Sequence, residues 1–129
     1  MTPQELASGL DYFIGTEQYH AHFLNRKLVY TDGVKYFATH AKAYWLIDAI
    51  VLGVHGRKGW VPYIVPAKTD FAVIIMKVET GEARVDIYQD YPGTKLSGFK
   101  TPTDAPEGTW KFYLQLGSKQ VVMMLPSEY

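Results

Sequence analysis

Histidines are the first residues to weigh for chemistry. His20 and His22 are one residue apart, which sets two imidazoles on the same side of an extended strand. A third ligand from His40 or His55 would complete a zinc or other transition-metal site. Two partly exposed histidines in an irregular segment are the plainer reading of this spacing, so no metal and no cofactor is assigned. Asp32 stands close to Tyr30, Lys35 and Tyr36, a set in which a carboxylate could orient tyrosine hydroxyls at a pocket. Equally, Asp32 can cap a helix while Lys35 stays in water. Asp48 interrupts an apolar stretch, where a carboxylate is costly unless paired or hydrogen-bonded. It reads as the partner of a buried donor such as Arg26, a tyrosine or an indole, or as a pocket carboxylate kept for function.

The stretch GVHGRKG at 53–59 puts glycines beside Arg57 and Lys58 just ahead of Trp60, where a phosphate could be held. It lacks the Gly-Lys-Ser/Thr ending of a P-loop and follows a helix instead of opening one, so a basic loop tip is the simpler reading. Ser-His-Asp order, G-x-S-x-G, H-E-x-x-H and the dinucleotide fingerprint are all missing. Catalysis has no positive support.

The elements that must position these residues follow from periodicity. Thr2-Pro3-Gln4-Glu5 is a helix start, and Leu6, Leu10, Phe13 and Ile14 form one apolar stripe, which predicts a helix over 3–14 stopped by Gly15. Gly9 inside it suggests close packing. Residues 16–29 have no clean period and read as a loop with a short strand or a short helical turn near Phe23–Tyr30. Thr31-Asp32-Gly33 is turn and cap chemistry, and the apolar-rich segment 34–52 after it reads as helix, continuous or in two pieces, ended by Gly53 and Gly56. Trp45, Leu46, Ile47, Ile50, Val51 and Leu52 crowd it so densely that the pattern predicts an interior helix covered on every side. Residues 53–69 read as a loop around a short strand at Trp60–Val65. Residues 71–78 form a β-rich run apolar at both alternations, and the pair 71–78 and 83–89 reads as a hairpin across Thr80-Gly81. Residues 92–108, broken by Pro92, Gly93, Gly98, Pro102 and Pro106, read as a long irregular connection. A second hairpin follows at 110–116 and 120–125.

Helices first and strands later predict an α+β fold: N-terminal helices packed on a small antiparallel sheet of about four strands, in two hairpins. At 129 residues, 47% hydrophobic and 20% charged, one domain spanning 1–129 is expected. There is no cysteine, hence no disulfide. The first residues do not form a secretory signal, and the longest apolar run is too short for a membrane span, so a soluble cytoplasmic protein is expected. Positive and negative residues both total 13, with no long basic run, which offers little reason to expect nucleic acid, although it leaves room for a local patch.

Three stretches, HFLNRKLVYTDG at 22–33, YTDGVKYFATHAKAYWLIDAI at 30–50 and LPSEY at 125–129, resemble a family of small bacterial, plasmid and phage proteins of unknown function. The resemblance implies a prokaryotic or mobile-element setting and brings no activity, ligand or catalytic residue. The function expected is a non-enzymatic interaction or binding module, acting through aromatic surface (15% aromatic, ten tyrosines) and loops, with an open sheet edge as a homodimer seam. The alternatives are a binder of nucleotides or metabolites in a pocket lined by Trp45, Trp60 and Arg57, and a metal-dependent hydrolase.

Overall fold

The computed structural model describes residues 2–13, 19–21, 28–55, 71–88, 95–116 and 121–128. Helix α1 (Pro3–Leu10) begins as its sequence indicates: Thr2 Oγ1 accepts the N–H of Glu5 at 3.1 Å and Pro3 occupies the first turn. It ends at Leu10, short of the expected residue 14, as Tyr12 and Phe13 turn tightly back onto the carbonyls of Gly9 and Leu10. Strands β1 (Tyr19–Ala21) and β2 (Leu28–Thr31) come next, then helices α2 (Asp32–His40) and α3 (Tyr44–His55). Five more strands follow: β3 (Phe71–Glu79), β4 (Glu82–Tyr88), β5 (Lys95–Pro102), β6 (Gly108–Leu116) and β7 (Val121–Met124). A 3-10 turn (Pro126–Glu128) closes the chain.

All seven strands join one mixed sheet in the order β1-β2-β7-β6-β3-β4-β5. This overturns the expected antiparallel sheet of about four strands. The two expected hairpins are there as β3–β4 and β6–β7, but β5 adds to β4, and β2 pairs parallel with β7 from the far end of the sequence. The expected irregular connection at 92–108 is likewise replaced by β5 over Lys95–Pro102. Its Gly98 and Pro102 read as loop residues, yet an edge strand tolerates both: Pro102 sits at the strand end, and Gly98 lies opposite Asp86, where a Cβ would strike the Asp86 carboxylate and the Lys95 side chain. The expected strand at Trp60–Val65 lies outside the described residues.

One face of the sheet carries the core. Ala72, Ile74, Met76 and Val78 of β3 alternate with back-face residues, and β6 adds Trp110, Phe112 and Leu114. Phe37 of α2 drives into this face, with its ring 4.9 Å from Phe112 and 5.5 Å from Trp110. Burying a side chain of that size stabilises the fold by roughly 1.5–3 kcal/mol. Trp45 of α3 meets Phe99 of β5 edge to face at 6.4 Å, which carries the helical layer to the far edge of the sheet.

The helical segment differs from the interior beam that its composition suggests. It is two helices, broken where Lys42 takes a left-handed conformation (φ 54°) and the Ala43 N–H bonds the Ala38 carbonyl, a helix-closing geometry. Gly53 does not end α3, which runs to His55. The outward side of α3 carries Tyr44 and Asp48, one turn apart and both exposed, and Trp45 is only half-buried. The sheet's middle strands β6 and β3 are the interior element.

Candidate functional site

Antiparallel pairing of β1 with β2 sets His20 opposite Tyr30, with the rings 5.6 Å apart. His20 Nε2 lies 2.8 Å from Asp32 Oδ1, both side chains about a quarter exposed. The Tyr30 phenol is held above its ordinary pKa, first by burial and then by the nearby Tyr44 and Asp48. His20, Tyr30, Asp32, Tyr44 and Asp48 therefore share one polar corner at the β1 edge. A histidine paired with a carboxylate beside a protonated phenol can relay a proton or grip a polar ligand.

Other candidates do not join this corner. Lys35 is exposed on α2. Tyr36 is a packing residue: its ring meets Phe13 at 5.4 Å and His40 at 4.2 Å, and its hydroxyl occupies the place a Cβ on Gly9 would take. Gly9 thus lets α1 lie close on α2. His40, weighed above as a third metal ligand, sits about 12 Å along α2 from Asp32 at 1.5 Å per residue, too far to share an ion with His20. Asp48 is exposed, so no buried donor is needed to accommodate it. Among the described residues no group of three His, Cys, Asp or Glu side chains is arranged to hold a metal. His22, Arg57, Lys58 and Trp60 lie outside the described residues.

Two further features escape a reading along the chain. The first is a latch. Glu128 is only 8% exposed; its Oε1 accepts the Thr31 hydroxyl at 2.6 Å and the Leu125 N–H at 3.1 Å, and its Oε2 accepts the Gly33 N–H at 3.3 Å. Thr31 Oγ1 in turn accepts the Val34 N–H at the start of α2. The carboxylate thus supports the N-terminus of α2, where backbone donors lack helical partners and negative charge is favoured. Gly33 is required because a Cβ there would run into Glu128 and Leu125.

The second is on the opposite face of the sheet, which no described helix covers. Lys77 of β3 pairs in register with Arg84 of β4, and Arg84 with Lys100 of β5, so three exposed cations stand side by side across three strands. Like charges directly opposite one another destabilise a sheet. Asp86, 7% exposed, offsets part of this: Arg84 Nε donates to its Oδ2 at 3.2 Å, and Lys95 Nζ lies 2.8 Å from its Oδ1. The Lys95 contact is an ion pair by distance but lacks hydrogen-bond angles, so Oδ1 has charge compensation without a directed donor. Neither Lys77 nor Lys100 forms an ion pair with a described residue. An open cleft of about 460 Å³ lies over the row, lined by these three cations with Glu79, Thr80 and Glu82.

A family of unknown function, DUF6876, matches residues 4–129. The chain belongs to that family. A crystal structure of a protein of unknown function from Enterococcus faecalis is similar in fold, with a TM-score of 0.55 and 16% identity, covering 80% of this chain and 90% of that one. No curated protein matches the sequence. Within this chain, two of the stretches that carried the resemblance meet in space: the Thr31-Asp32-Gly33 turn is bound by the Glu128 of LPSEY, because parallel pairing of β2 with β7 delivers both to one end of the sheet. No helix among the described residues is long and apolar enough to cross a membrane.

Proposed function

We propose that the chain is a binding module that takes an anionic partner on the face of its sheet that no described helix covers. The observation that carries this reading is the in-register row Lys77–Arg84–Lys100, whose mutual repulsion the fold leaves only partly compensated. An anion laid over the row relieves that repulsion and gains attraction from all three cations, and local charge of this kind attracts a partner even when the net charge is zero. Heparin chromatography tests it. The wild type is retained and elutes in a salt gradient, while K77E/K100E, which spares the Arg84–Asp86 pair, passes through with an unchanged circular dichroism spectrum. Equal retention of the two proteins removes the reading.

The raised pKa of Tyr30 beside the His20–Asp32 pair favours a second reading, a small-molecule site at the polar corner. A thermal-shift panel of nucleotides and metabolites checks it, since a ligand at 100 times its dissociation constant adds about 2.7 kcal/mol. A shift seen in the wild type and absent from His20→Ala supports the site; no shift across the panel removes it.

A further inference from the structure

We infer that the negative charge laid over this face belongs to a second copy of the chain, an inference that rests on the anionic-partner reading and names the partner. The cation row has a neighbour of opposite sign. Two residues further along the same strands, Glu79 of β3 pairs in register with Glu82 of β4, so two exposed carboxylates stand directly opposite each other. Side chains two apart on a strand share a face, and these carboxylates line the same cleft as Lys77, Arg84 and Lys100. The rows are therefore parallel and roughly 7 Å apart, one positive and one negative. Neither Glu79 nor Glu82 forms an ion pair with a described residue. Each row repels itself, as like charges opposite one another do in a sheet.

A uniform polyanion relieves the cation row but is repelled by the carboxylates beside it. A surface that carries both signs in two parallel rows satisfies both, and this chain is itself such a surface. A two-fold axis lying in the face, parallel to the rows and midway between them, exchanges the rows as it brings two copies face to face. Lys77 then meets Glu79 of the second copy and Arg84 meets its Glu82, and the symmetry repeats both contacts, as an isologous interface requires. Lys100 falls opposite Pro102 of the second copy and stays at the rim. The copies overlap only at the end of the sheet that carries the β3–β4 turn, so the seam uses the two charged rows and not the middle of the face. A net charge of zero leaves no overall repulsion to oppose the approach. Exposed ion pairs are individually small and are screened by salt, so the dimer is weak and forms at low ionic strength.

Sedimentation equilibrium of the full chain at low salt tests the inference. The weight-average mass should climb above 14.6 kDa with concentration and fall back at about 1 M salt, where the screening length is about 3 Å. K77E and E79K each turn two symmetry-related contacts from attraction to repulsion and should weaken association at least about tenfold. K77E/E79K exchanges the two charges, keeps the net charge and should restore association, because the pair across the axis is again of opposite sign. Both positions are exposed, and an unchanged circular dichroism spectrum confirms that the variants fold. E79K/E82K should lose association while its retention on heparin rises. A wild type that stays monomeric at every concentration, or a K77E/E79K variant that fails to recover, overturns the second copy as the partner; heparin retention that still depends on Lys77 and Lys100 then leaves the anionic-partner reading standing. A monomeric wild type whose heparin retention is indifferent to K77E/K100E overturns both.

Discussion

Glu128 and Asp86 are buried to nearly the same degree, at 8% and 7% exposure, and do opposite things. Glu128 accepts from a hydroxyl and two backbone N–H groups, neutral donors that the fold itself leaves over at a helix start and a chain end. Asp86 faces Arg84 and Lys95, the neighbouring row adds Lys77 and Lys100, and Glu79 and Glu82 line the same cleft, so cations still outnumber carboxylates there. The first is a structural joint whose donors and acceptors are matched. The second leaves positive charge facing outward on a sheet face that no described helix covers, which is the basis of the anionic-partner proposal. The contrast teaches that burial of a carboxylate says little about its role; the kind of donor around it says more.

The largest effect that would break this comparison is at the joint. Glu128→Ala leaves the Thr31 hydroxyl and the Gly33 and Leu125 N–H groups without their acceptor, and urea denaturation should register a loss of about 3 kcal/mol. A loss below about 1 kcal/mol would mean that water replaces the carboxylate and the latch does not hold α2. Asp86→Asn should cost only about 1 kcal/mol, because Arg84 and Lys95 are half-exposed and solvent screens both. It should also raise the salt needed to elute the protein from heparin, as the face loses its central negative charge. Lower retention would reverse the assignment of Asp86.

Between these two lies Tyr30, whose neutral form is favoured by burial and by Tyr44 and Asp48. A raised folded pKa contributes stability that is fully present below the unfolded phenol value near 10 and is lost as pH rises through the folded value. Alkaline denaturation should therefore steepen above about pH 10, and Tyr30→Phe should flatten that arm; Asp48→Asn should lower the pKa of Tyr30 in an ultraviolet titration. The smallest effect concerns the β3–β4 turn beside the cation row. Thr80 and Gly81 both have positive φ, 51° and 77°, as a two-residue hairpin turn demands, and a β-branched residue is strained there. Thr80→Gly should stabilise the chain by roughly 1 kcal/mol in the same urea assay without changing heparin retention.

Legibility followed the range of each interaction. The Thr2 cap, the β3–β4 turn and the β6–β7 hairpin depend on residues a few positions apart, and the pattern marks them all. Strand β5 was hidden because Gly98 and Pro102 are loop residues everywhere except at a sheet edge. The short β2 has no period of its own and exists through its partner β7. Of the chemical candidates, His20 and Asp32 are brought together only by the β1–β2 pairing, and Tyr36 and His40 turn out to pack against each other.

The residues alone determined the local starts, turns and alternations, because cap bonds, glycine conformations and side-chain period act within one turn or one hairpin. Tertiary structure alone decided which distant residues stand abreast. Lys77, Arg84 and Lys100 form no run along the chain, and Glu128 lies 97 residues from Thr31. Strand register and the parallel β2–β7 contact place them, and a charge pattern laid across strands leaves no mark in the order of the residues.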